Sequence, residues 1–93
     1  MFLWPFHRRP MRRVTVYGKP NCHLCEEALD LLTQLGRRLP MEIQEVDITT
    51  DPILFRRYDV IIPVIVIDGE TELSAPIQEA DLRRALSRRS PRS

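Results

Sequence analysis

Cys22 and Cys25 are the only cysteines of the chain, and His23 and Leu24 separate them. Arg13-Val14-Thr15-Val16-Tyr17 ahead of the pair reads as a strand, and Glu26 onward reads as a helix. A C-x-x-C between a strand and a helix is the arrangement of a dithiol redox centre. The first thiol stands at the helix mouth, where free backbone N–H groups and the helix dipole stabilise a thiolate. The second follows within a turn, close enough to attack a mixed disulfide formed on the first. The expected chemistry is thiol–disulfide exchange, with Cys22 attacking and Cys25 resolving.

Other uses of the pair fit less well. A staple closing so short a loop adds little stability by chain entropy, so the pair suits a reducing compartment in which it cycles. Zinc asks for four ligands, and the other soft candidates are His7 near the start of the chain and His23 between the cysteines. A complete single-chain site is hard to build from these, so neither a metal nor a tightly bound cofactor is expected. His23 has two readings. Protonated, it stabilises the thiolate and makes the pair more oxidising; alternatively it is an exposed helix-start residue. Glu26 and Glu27 act against a thiolate.

The elements that must hold this pair fit in one small domain, because 93 residues support a single thin core. Val14-Thr15-Val16-Tyr17 is the first strand, and Gly18-Lys19-Pro20-Asn21 is the turn, with Asn21 as the candidate helix cap. Leu24, Ala28, Leu31, Leu32 and Leu35 recur at helical spacing, and Gly36 and Pro40 end that helix. Met41 to Ile48 alternates as a second strand, parallel to the first through a right-handed crossover. Thr50-Asp51-Pro52 starts a short helix that ends near Asp59. Ile61 to Ile67 is the most hydrophobic run and needs burial on both faces; Pro63 within it cannot donate to a sheet ladder, so it must precede the strand or sit at an irregularity. Asp68-Gly69 signals a tight hairpin, Glu70 to Leu73 returns as an edge strand, and Gln78 to about Arg88 is an amphipathic helix.

Charge is distributed unevenly along this frame. Residues 1–13 and 83–93 carry arginines and no acid, whereas residues 14–82 carry five basic and thirteen acidic side chains. The expected layout is a flexible basic arm at 1–12, a domain at 13–88 and a basic tail at 89–93. No zinc pattern, helix-turn-helix spacing or aromatic interleaving accompanies the basic ends, so no specific nucleic-acid partner is expected. The apolar start Met1–Phe6 is too short for a signal or spanning segment. The expectation is a cytoplasmic monomer with no membrane partner.

This order of elements and its motif resemble the thioredoxin superfamily, and specifically the small glutaredoxin-like proteins, from Val14 to Leu86. The resemblance implies a four-stranded mixed sheet with three helices in the order β-α-β-α-β-β-α. Cys22 and Cys25 match the family's nucleophilic and resolving cysteines. Tyr17 and Lys19 match the tyrosine-x-lysine segment, whose lysine meets a glutathione carboxylate. Ile62-Pro63 matches the cis-proline pair facing the catalytic disulfide, and Asp68-Gly69 matches the hairpin before the last helix. His23 and Leu24 stand where ordinary glutaredoxins have Pro-Tyr, Ser74-Ala75-Pro76 replaces a glycine pair, and Asn21 stands where thioredoxins have tryptophan. The chain is closest to the C-x-L-C glutaredoxin-like group.

The implied activity is reduction of protein or small-molecule disulfides by the Cys22–Cys25 dithiol. Tyr17, Lys19, His23, Leu24, Ile62 and Pro63 form the implied substrate or glutathione site. Half of a glutathione site implies weak glutathione binding, with a thioredoxin-reductase-type donor serving at least as well. A disulfide-bearing protein or a low-molecular-weight thiol is the expected partner. Three alternatives stay open: arsenate or peroxide reduction by the same pair, a binding module with idle thiols, and an iron–sulfur cluster shared by two chains.

Overall fold

Val14 and Val16 are buried on one face of the first strand while Thr15 and Tyr17 point to the other, and this alternation sets the layers of the domain. The computed structural model describes residues 11–88. The first strand, β1 (Arg12–Gly18), leads into the helix α1 (His23–Leu35) and then the strand β2 (Met41–Asp47). A 3₁₀ turn (Ile48–Thr50) and the helix α2 (Pro52–Tyr58) follow. The hairpin strands β3 (Val64–Ile67) and β4 (Thr71–Ser74) and the helix α3 (Glu79–Ser87) complete the order. The sheet runs β2-β1-β3-β4, with β1 and β2 parallel and the other two pairings antiparallel. This is the thioredoxin-like mixed sheet that the sequence implied.

Each sheet face buries its own cluster. Val14, Val16, Ile65 and Ile67 meet Ala28, Leu32 and Leu35 of α1 and Leu82, Ala85 and Leu86 of α3. On the other face Val64, Ile48 and Tyr58 form a smaller cluster against which Tyr17, Leu54, Ile61, Ile62 and Val66 pack. Central position and burial on both faces explain why β3 is a continuous Val-Ile-Val-Ile run.

Local chemistry fixes the ends of the elements. Asp51 caps α2 by accepting from the amides of Ile53 (2.9 Å) and Leu54 (3.4 Å), with Pro52 in the first turn. Asp68 and Gly69 both take positive φ (53° and 69°), as a primed hairpin turn requires. The Ile62–Pro63 bond is cis and lies just before β3; the Ala75–Pro76 bond, also cis, has no counterpart in the sequence reading.

Three expectations need adjustment. Asn21 does not cap α1: it adopts φ 61°, and Cys22 is the capping residue. Consequently α1 begins at His23, one residue later than an Asn21 cap would start it. Arg12, assigned to the arm, opens β1. Its guanidinium reaches Asp68 (2.6 Å), the Leu86 carbonyl (2.6 Å) and the Arg88 carbonyl (2.8 Å). The rest of the arm up to Pro10, and the tail at 89–93, lie outside the described residues.

Candidate active site

The strand β1 delivers the chain to the mouth of α1, and the positive φ of Asn21 turns it so that Cys22 takes the cap position. The Cys22 Sγ accepts from the Cys25 amide at 3.3 Å, and the Cys22 carbonyl accepts from the Glu26 amide at 3.1 Å. A sulfur at a helix N-terminus facing an N–H donor is better satisfied as thiolate than as thiol. Cys22 and Cys25 are joined as a disulfide, with their Cα atoms 5.3 Å apart.

Exposure separates the two cysteines. Cys22 is half-buried, while Cys25 is only 5% exposed. Cys25 lies so close to the end of β1 that a Cβ on Gly18 would stand 2.9 Å from its Sγ and 3.1 Å from its Cβ. Gly18 therefore gives the buried thiol its room. From the sequence Gly18 reads only as a turn residue, whereas in the structure it is the last residue of β1.

Lys19 is not free. Its Nζ lies 3.1 Å from Asp59 Oδ1, just past the end of α2, and both side chains are partly exposed. Asp59 was absent from the expected site. His23 is largely exposed and places its Nε2 2.8 Å from Glu27 on the outer surface of α1, a spacing of four residues. Leu24 is also exposed.

Tyr17 packs on the opposite sheet face, its ring 4.8 Å from that of Tyr58 and tilted by 34°. The Arg57 guanidinium lies over the Tyr58 ring at 5.2 Å. Burial pushes the Tyr58 hydroxyl up, the nearby Glu72 adds to this, and Arg57 opposes it. Tyr17 and Ile62 share the cluster around Tyr58, and Pro63 is fully buried. The structure thus sets Cys25 against both Gly18 and Cys22 and links Lys19 to Asp59, while Tyr17 serves packing.

An open groove of about 630 Å³ borders Asp59 and is lined by Thr49, Pro52, Phe55, Arg56, Asp59 and Val60. Among the described residues no group of three or more His, Cys, Asp or Glu side chains is placed to hold a metal ion, and no helix is long and apolar enough to cross a membrane.

Comparison with known proteins agrees with this geometry. The family described as glutaredoxin-like domain (DUF836) matches residues 13–87. No curated protein matches the chain. Among solved structures, the chain is similar to the structural-genomics target protein XcR50 from X. campestris, at 31% identity and a TM-score of 0.69, over 80% of this chain and 95% of that one. Protein Ne2328 from Nitrosomonas europaea is 27% identical with a TM-score of 0.74, over 85% and 95% of the two chains. An N21Q mutant thioredoxin from Halobacterium salinarum, 18% identical over 82% of this chain and 72% of its own, shares the fold with a TM-score of 0.64.

Proposed function

The chain belongs to the glutaredoxin-like domain family, and from that membership we propose a dithiol–disulfide oxidoreductase in which Cys22 attacks and Cys25 resolves. The observation that carries the division of labour is the difference in exposure: Cys22 is half-buried at the helix mouth, while Cys25 is buried against Gly18. The Cys22 thiolate attacks one sulfur of a substrate disulfide, forming a mixed disulfide and expelling the other sulfur as thiolate. Cys25 then loses its proton, attacks the Cys22 sulfur and expels the second substrate thiolate. Two electrons pass to the substrate, and the protein is left as the Cys22–Cys25 disulfide. The Cys25 amide and the α1 dipole stabilise negative charge on Cys22 when it attacks and when it leaves.

The electron source is proposed to be a thioredoxin-reductase-type donor at least as much as glutathione. Two features support weak glutathione use: Asp59 already engages Lys19, and Ser74-Ala75-Pro76 stands where the family's glycine pair would offer backbone N–H groups. Disulfide-bearing proteins and low-molecular-weight disulfides are the proposed partners. The cytoplasm, which is reducing, is the proposed setting for the cycle.

Replacement of each cysteine by serine tests the mechanism. Cys22→Ser is expected to abolish reduction of bis(2-hydroxyethyl) disulfide. Cys25→Ser is expected to accumulate a mixed disulfide on Cys22, detectable as an added mass on the intact protein. Trapping on Cys25 in the Cys22→Ser protein would reverse the roles. Running the wild-type assay separately with glutathione and with a thioredoxin reductase system identifies the donor.

A further inference from the structure

Among the described residues, few free cations stand close to Cys22 along the chain. Lys19 is the only lysine of the chain, and only Pro20 and Asn21 separate it from Cys22, which keeps their Cα atoms within about 11 Å. Its ammonium is held by Asp59 at 3.1 Å. Glu26 stands exposed in the first turn of α1, and Glu27 faces His23. Arg37 and Arg38 follow the far end of the 13-residue helix, about 20 Å from the cysteines. Arg57 is directed onto the Tyr58 ring. Arg56 remains as a cation in the groove, one helical turn before Asp59. Asp59 is therefore the group that decides whether a substrate near Lys19 meets an ammonium or a neutralised pair, and it also lines the groove that holds Arg56.

We propose that Asp59 determines the charge class of the substrate: by neutralising Lys19 it disfavours anionic disulfides and selects neutral or cationic ones. The inference rests on the dithiol reading above. Asp59 acts through Lys19 and on the field around Cys22, and takes no part in bond making. The reaction it tunes is oxidation of the reduced pair by a disulfide RSSR. The Cys22–Cys25 bond forms, the substrate S–S bond breaks, and the two thiol hydrogens of the protein end on two RSH molecules.

The test uses the full chain, reduced beforehand and freed of reductant, in single turnover with three disulfides. Cystamine is cationic, bis(2-hydroxyethyl) disulfide is neutral and glutathione disulfide is anionic. The rate is read by acid quenching and counting the remaining protein thiols. Asp59→Asn is expected to raise the glutathione disulfide rate about twofold relative to the neutral disulfide, and to lower that of cystamine, as expected for unit charges about 10 Å apart in water. The gain should shrink at high salt and vanish when Lys19→Ala is added. Asp59→Glu should keep the wild-type ratios. Unchanged ratios among the three disulfides in Asp59→Asn would overturn the proposal while leaving the dithiol reading intact. Failure of all three disulfides to oxidise the wild-type pair would overturn that reading, and this inference with it.

Discussion

Gly18 sets how near the resolving thiol lies to the sheet. A methyl group there would meet the Cys25 Sγ at 2.9 Å, so either the start of α1 or the Cys25 side chain has to move. Gly18→Ala is expected to destabilise the protein by about 1–3 kcal/mol, the usual range for overpacking. It should also slow the resolving step more than the first attack, because Cys25 is displaced while Cys22 keeps its cap position. Urea unfolding measures the first effect, and mass spectrometry of mixed disulfide accumulating during turnover measures the second. The cysteines themselves were legible from type and spacing alone, since the chemistry needs two thiols within one turn. The role of Gly18 was not, because it arises from the distance between β1 and α1, which no local pattern encodes. Nor was Asp59 legible: it lies 40 residues from Lys19, and only the fold brings the two together.

At the scale of elements, α2 depends on its first turn. It has seven residues, too short to be stable by propensity alone, and Asp51 satisfies two of its free amides. Asp51→Ala is expected to cost about 1 kcal/mol, and Asp51→Asn much less, both read from the urea midpoint at constant slope. The loss should loosen the Tyr58 cluster first, because Tyr58 and Leu54 are the residues α2 contributes to it. This helix start was readable as Thr-Asp-Pro, and the hairpin was readable as Asp-Gly, because both motifs carry their own geometry. The start of α1 was misread by one residue. Periodicity reports which side chains share a face and is silent about φ, and it is the positive φ of Asn21 that moves the cap to Cys22.

Across the whole molecule, Arg12 ties segments that the sequence keeps apart. Its partners lie 56, 74 and 76 residues away, so a local reading could only assign it to the arm. Asp68 receives both the Arg12 guanidinium (2.6 Å) and the Arg13 amide (2.9 Å). Burial alone would push its carboxyl up; the Arg13 amide and the Arg12 guanidinium outweigh this and hold it below the ordinary value. A depressed folded-state pKa means that its stabilisation is fully present above about pH 4, the unfolded value, and is lost as pH falls through the folded one. Asp68→Asn is expected to lower stability at pH 7 by about 1–2 kcal/mol, with the difference narrowing in acid below about pH 4. Parallel urea titrations at the two pH values check both the size and the sign. The same clasp has a topological consequence. Because one arginine side chain spans from the first strand to the carbonyl of Arg88, the beginning and end of the domain are neighbours in space. Chain order should therefore be separable from architecture: a circular permutant, with residues 11 and 88 joined by a short glycine-serine linker and new termini opened between the exposed Arg37 and Arg38, keeps the whole cysteine turn on one continuous piece of backbone and is expected to retain every strand pairing, as circular dichroism and urea unfolding would check.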